Sequence, residues 1–154
     1  MPPRNGKKRR PSRVRKAGTA KRTAVDYETL ARFRHELRRF LAFSEFEANR
    51  SGLTAQQHQA LLVIRGFSGP EGMSIGDLAQ YLLIRHHTAV ELVDRMTRLK
   101  IIGRSADPAD ARRVLVQLTR EGERRLQRLS KTHLGELRAI GATLTKMLKL
   151  FRQR

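Results

Sequence analysis

Cysteine is absent from all 154 residues. Its absence excludes disulfides, thiolate metal sites and thiol-based redox sensing. Acidic residues are scarce: 14 Asp and Glu stand against 33 Lys and Arg, a net charge of +19. So large an imbalance favours a polyanionic partner, with nucleic acid first and an anionic membrane surface second. Long apolar runs are missing as well. The longest, Ala60 to Ile64, is far short of a membrane span. No hydrophobic region follows the basic N-terminus, so no signal peptide is read there.

The residue patterns of catalysis are equally thin. His35, His58, His86, His87 and His133 are scattered, without metal-ligand spacing to carboxylates. His86 and His87 are adjacent, so on a helix they would point about 100° apart and could not readily share a ligand. Gly66, Gly69, Gly72 and Gly76 match no phosphate-binding fingerprint. No nucleophile elbow or paired buried carboxylate is visible. The expectation is a protein that is not an enzyme and takes no cofactor and no metal.

What the chain does contain divides in two. Residues 1–25 hold ten positive charges and no acid, with three prolines and two glycines. Such a segment cannot bury enough surface to offset its ordering entropy and reads as a disordered basic tail. It would be either an electrostatic arm on DNA or a solvated tail. Residues 26–154 read as one mainly α domain with a small β-hairpin. Within it a compact lobe, about 53–119, lies between helices at about 26–48 and 119–152.

The lobe is the most informative stretch. Ile75, Leu78, Ala79 and Leu82 fall at i, i+3, i+4, i+7 after a capping Ser74, which gives a short helix. Leu83, Ile84 and Arg85 form a tight connection to a second helix, about His86 to Lys100, with Ala89, Leu92, Val93, Met96 and Leu99 on one face. Two β-like pieces follow, Ile101 to Ser105 and Arg113 to Leu118. In the second, Val114, Val116 and Leu118 alternate with Arg113, Leu115 and Gln117, as in a half-buried strand. Helix, turn, helix and a basic-tipped hairpin make a winged helix-turn-helix, whose second helix fits a major groove.

The flanking helices carry apolar seams. Leu30, Phe33, Leu37, Phe40 and Leu41 lie near a heptad stripe, and Gly52 suits a left-handed helix end. Thr54-x-x-Gln57 reads as a capping box for a helix from Ala55 to Arg65. After the hairpin, Thr119 can cap a helix with Glu121 and Glu123 in its first turn. A separate final helix from about Leu134 repeats the seam with Leu137, Ile140, Leu144, Met147 and Phe151. One copy of so small a domain cannot bury both stripes.

The run His86-His87-Thr88-Ala89-Val90-Glu91-Leu92-Val93-Asp94-Arg95-Met96, the wing motif Asp107-x-x-Asp110-x-Arg112, and Leu118-Thr119-x-x-Gly122 together resemble the multiple-antibiotic-resistance regulator (MarR) family. The resemblance covers about Tyr27 onwards. Arg85 departs from it, standing where the family often has Ser or Thr, so the cap there is poor. The missing cysteine sets the chain apart from the family's cysteine-based peroxide sensors.

The resemblance implies a homodimeric transcriptional regulator of the bacterial cytoplasm, expected to be a repressor on a pseudo-palindromic DNA operator. A sequence-tolerant nucleoid-associated binder is the alternative. Dimerisation would use Leu30, Phe33, Leu37, Leu137, Ile140, Leu144 and Met147. DNA contacts would come from His86, His87, Thr88 and Glu91 at base edges, with Glu91 able instead to pair with Arg95. Arg95, Arg98, Arg104, Arg112 and Arg113 would meet phosphate or a minor groove, and Asp107 and Asp110 would stabilise the wing. A small aromatic or anionic effector would lie among Phe40, Phe43, Phe46 and His58, although aromatics at that spacing equally serve a core.

Overall fold

Asp26 caps the first helix, α1 (Tyr27–Arg50), by accepting from the Thr29 backbone N–H at 3.0 Å, which satisfies one donor that a helix start leaves free. The computed structural model describes residues 26–152; the basic tail expected over 1–25 lies outside them. Gly52 then takes φ 71°, the left-handed turn that lets the chain leave the helix. Thr54 and Gln57 form the reciprocal capping box of α2 (Ala55–Phe67), with bonds of 3.2 and 2.9 Å.

The lobe continues with β1 (Met73–Ser74), α3 (Ile75–Leu82), α4 (His86–Arg98), β2 (Ile102–Ala106) and β3 (Val114–Leu118). The three strands form one antiparallel sheet in the order β1-β3-β2, with Met73 and Arg104 both opposite Val116. The fold is thus mainly α with a small sheet, a winged helix-turn-helix as expected. Leu61, Ile64, Leu78, Leu92, Val93, Met96, Ile101, Ile102 and Val116 are its fully buried centre. Each such side chain contributes about 1.5–3 kcal/mol of transfer free energy.

Three details differ from the sequence reading. The two-residue β1 was not foreseen, being too short for any periodicity to register. It makes β3 a central strand, so the simple alternation fails there: Leu115 is 6% exposed and Val114 39%. Gly72, in the loop before β1, lies so close to β3 that a Cβ there would meet Gln117, the Val116 carbonyl and Leu115. The separate helices expected after Thr119 and from about Leu134 are one, α5 (Arg120–Arg152). No proline interrupts 120–152. His133 sits in phase with Leu129 and Ile140 and bonds back to the Leu129 carbonyl at 2.7 Å, so the seam runs through without a break.

α1 and α5 pack antiparallel. Phe33 meets Phe151 edge-to-face at 5.8 Å near one end, and Ser44 meets His133 at 2.8 Å nearer the other.

Two α5 glycines should respond oppositely to alanine. A Cβ at Gly122 would lie 2.0 Å from the Ile101 carbonyl oxygen, whereas one at Gly135 meets nothing within 4 Å. Gly122→Ala should cost about 1–3 kcal/mol through overpacking, and Gly135→Ala should add about 0.5–1 kcal/mol through helix propensity. Urea denaturation of both variants beside the wild type checks the opposite signs.

Candidate nucleic-acid interface

The turn between α3 and α4 is made by a leucine in an unusual conformation. Leu83 adopts φ 55°, ψ 41°, a region that only glycine enters at no steric cost. Its N–H bonds to the Gln80 carbonyl at 3.1 Å and the Ile84 N–H to Ala79 at 3.0 Å, which closes α3 tightly enough to aim α4 across it. Leu83 itself is 92% exposed. Arg85 occupies the cap position of α4 and makes no capping side-chain bond, the poor cap its identity implied.

Ala89, Leu92, Val93 and Met96 pin one face of α4 to the core. His86, His87, Glu91, Arg95 and Arg98 are exposed on the rest, and Thr88 is half-buried. Glu91 and Arg95 approach to 3.7 Å, an exposed pair of small energetic weight that leaves both side chains usable.

The wing is held by its two aspartates and braced to the helices by arginines. Asp107 Oδ1 accepts from the Ala109 N–H at 2.9 Å, and Asp110 Oδ1 from the Arg112 N–H at 3.1 Å. Both are Asx-type bonds that shape the hairpin tip. Arg113 lies 3.5 Å from Asp107 and 3.9 Å from Asp77 of α3. Asp77 is in turn fixed by the Ser74 hydroxyl, which donates to it at 2.6 Å. Arg104 pairs with Asp94 of α4. Arg104 and Arg113 are therefore partly engaged in orienting the wing, while Arg112 has no ion-pair partner among the described residues.

A cleft of about 490 Å³ runs between α4 and the wing, lined by His86, Val90, Arg104, Arg112, Arg113 and the start of α3. It gathers four of the expected DNA-contacting residues from three elements. Arg95 and Arg98 are not among its lining; they sit a turn or more further along α4. The bracing roles of Asp77 and Asp94 had no sequence signal, because nothing in their spacing points to partners in the wing.

The sequence model of the MarR family matches residues 51–113, the segment that holds α2, the helix-turn-helix and the wing tip. Over this segment the chain is similar to the MarR family. A second family model, "Tethering Ubl4a to BAGS domain", matches 99–138, a stretch that runs from the end of α4 across the wing into mid-α5 and forms no separate unit in this fold. The chain is 37% identical over 71 residues to the transcriptional activatory protein BadR of Rhodopseudomonas palustris, a match over 46% of this chain that spans less than half of BadR, 41% of its length. The MarR family transcription regulator SP03579 superposes with a TM-score of 0.68 at 20% identity, over 82% of this chain and 83% of that one. The S. aureus MepR–DNA complex gives 0.57 at 22% identity, over 80% and 98%.

Elsewhere in the fold, Phe40, Phe43 and His58 come together, but around a residue the sequence reading did not single out. His133 of α5 has its ring 4.6 Å from His58, 5.6 Å from Phe43 and 6.0 Å from Phe40. The signal was present in its heptad phase between Leu129 and Ile140. Phe46 does not join them; it is 59% exposed beneath the Arg50 guanidinium. His133 donates through Nδ1 to the Leu129 carbonyl, and its Nε2 lies 2.8 Å from the Ser44 hydroxyl. His58 is 2% exposed, and its Nε2 has no hydrogen-bond partner among the described residues.

Burial, with His133 as a second cause, lowers the His58 pKa from 6.5 to about 4. The folded protein therefore binds this proton less readily than the unfolded chain. Its stability is full above about pH 6.5 and falls as pH drops from there towards about 4, by about 2–3 kcal/mol for this group. Urea midpoints between pH 7.5 and 4.5 should show that loss in the wild type, and His58→Gln should be measurably flatter over the same window.

Proposed function

We propose that two copies of this chain form a DNA-binding transcriptional regulator that reads an operator through α4 and the wing. One observation carries the reading. The cleft between α4 and the wing gathers His86, Arg104, Arg112 and Arg113 on one exposed face, with the wing held at a fixed angle by pairs to Asp77, Asp94 and Asp107. A cationic surface of fixed shape can sense groove width as well as charge. MepR has been solved as a DNA complex, which supports the same use of the fold here.

Dimerisation is supported by what one copy leaves uncovered. Leu30, Leu37 and Leu41 on α1, and Leu134, Leu137 and Leu148 on α5, remain at least 40% exposed. Neighbouring Ile140, Leu144 and Met147 are buried or half-buried along α5. A second copy would bury that surface and set two α4 helices on successive major grooves. Such a dimer, working at the bacterial chromosome in the cytoplasm, represses by occluding its site. The name of BadR favours activation as the second reading. The effector implied by the family would act where α1, α2 and α5 meet around His133.

Arg112→Ala tests this reading. With no competing ion pair among the described residues, Arg112 is free to contact DNA, and its loss should cost about 1–3 kcal/mol on the best-bound duplex and clearly less on random DNA. Titrations of both duplexes at several salt concentrations make the comparison. Equal losses on the two would favour the charge-driven, sequence-tolerant binder.

A further inference from the structure

α5 carries nine cations and three carboxylates, Glu121, Glu123 and Glu136. At about 100° per residue, Arg120, Arg124, Arg128, Lys131, Arg138 and Lys149 fall within about 40° of one line along the helix. All six are exposed, and no carboxylate falls in that band. Only Arg124 among them has an ion-pair partner within the described residues, Glu121. The buried side of α5 is diametrically opposite: Gly122 against Ile101, then Leu126, Leu129, His133 and Ile140. The exposed Leu134, Leu137 and Leu148 lie between these two sides, so a second copy packing on them leaves the basic line open.

We infer that this line is a second duplex-DNA-binding surface, separate from α4 and the wing, by which a protein bound to one DNA segment holds another. The inference rests on the DNA-binding reading above. The line extends for about 44 Å at 1.5 Å per residue, along which a duplex presents phosphates every 3.4 Å per strand. The positions between its cations include Gly135 and Ala142, small residues that let a rod-shaped partner approach. It has no aromatic or large aliphatic anchor of the kind a protein interface needs at its centre. A lipid surface would require an apolar face to insert, and the apolar residues of α5 lie in the core or on the flank that a second copy would cover. A uniform polyanion is what remains. α5 packs on α1, α2 and β3, so the line faces away from the elements that would read the operator.

The test uses the full chain with Arg128, Lys131 and Arg138 all changed to Gln. A short duplex fixed to beads is loaded with protein, and retention of a second, fluorescent duplex is measured across salt concentrations. The wild type should retain the second duplex. The triple variant should bind the bead-bound duplex with affinity within about twofold of wild type but lose most of the retention, and its salt slope should shrink by about 0.9 per phosphate contact removed. Retention equal to wild type overturns the inference, since the two reading heads of a dimer or the tail at 1–25 would then be holding the second duplex. Equal loss of affinity for the bead-bound duplex overturns it too, because the line would then belong to the first contact. If the wild type binds the first duplex and retains no second, this inference falls and the reading of α4 and the wing stands. If it binds no duplex, both fall.

Discussion

The carbonyl of Ile101 is where α4, the wing and the long terminal helix are joined. Ile101 is wholly buried, and its own N–H bonds to the Met96 carbonyl at 3.2 Å, which ends α4 and turns the chain into β2. Its carbonyl accepts from the Thr119 N–H at 3.1 Å, just where β3 gives way to α5. The Thr119 hydroxyl donates to the Lys100 carbonyl at 2.7 Å and accepts from the Gly122 N–H at 3.1 Å. Gly122 then lies so close to Ile101 that no side chain fits. The Leu-Thr-x-x-Gly motif is thus a clasp at the base of the wing. Without it, the ion pairs higher up the hairpin would be bracing a strand pair that could swing.

Those ion pairs set the division of labour among the arginines. Exposed pairs add little to stability, so the contacts of Arg104 with Asp94 and of Arg113 with Asp77 and Asp107 matter chiefly for direction. They hold two guanidinium groups along the cleft and leave Arg112 at the hairpin tip. The same economy of acid appears over the whole chain. Most of its 14 carboxylates are engaged in caps, hairpin bonds, wing braces or pairs one turn apart on a helix, so the surplus cations of α4, the wing and α5 face solvent.

Much of this was legible in the residues. Ile75, Leu78, Ala79 and Leu82 located α3 to the residue, and Thr54 with Gln57 located the start of α2. Both signals are local, a period and a cap, and local signals survive folding unchanged. Leu115 was assigned to the wrong side of its strand because burial in a sheet depends on what covers each face, and the covering loop before β1 has no pattern of its own. The break expected in α5 before Leu134 does not occur, because the seam through His133 carries the helix on without interruption. Of the proposed effector group, Phe40, Phe43 and His58 share an inward register. Phe46 falls a turn on, where α1 has rotated that position into solvent.

The central claim is that α4 and the wing read sequence, in two copies related by a two-fold axis. Selection of the full wild-type chain on a pool of randomised duplexes at moderate salt tests it directly. The account predicts an inverted repeat whose half-sites are centred about one helical turn, about 10 base pairs, apart. Enrichment that yields no consensus, with affinity set by salt alone, would contradict it.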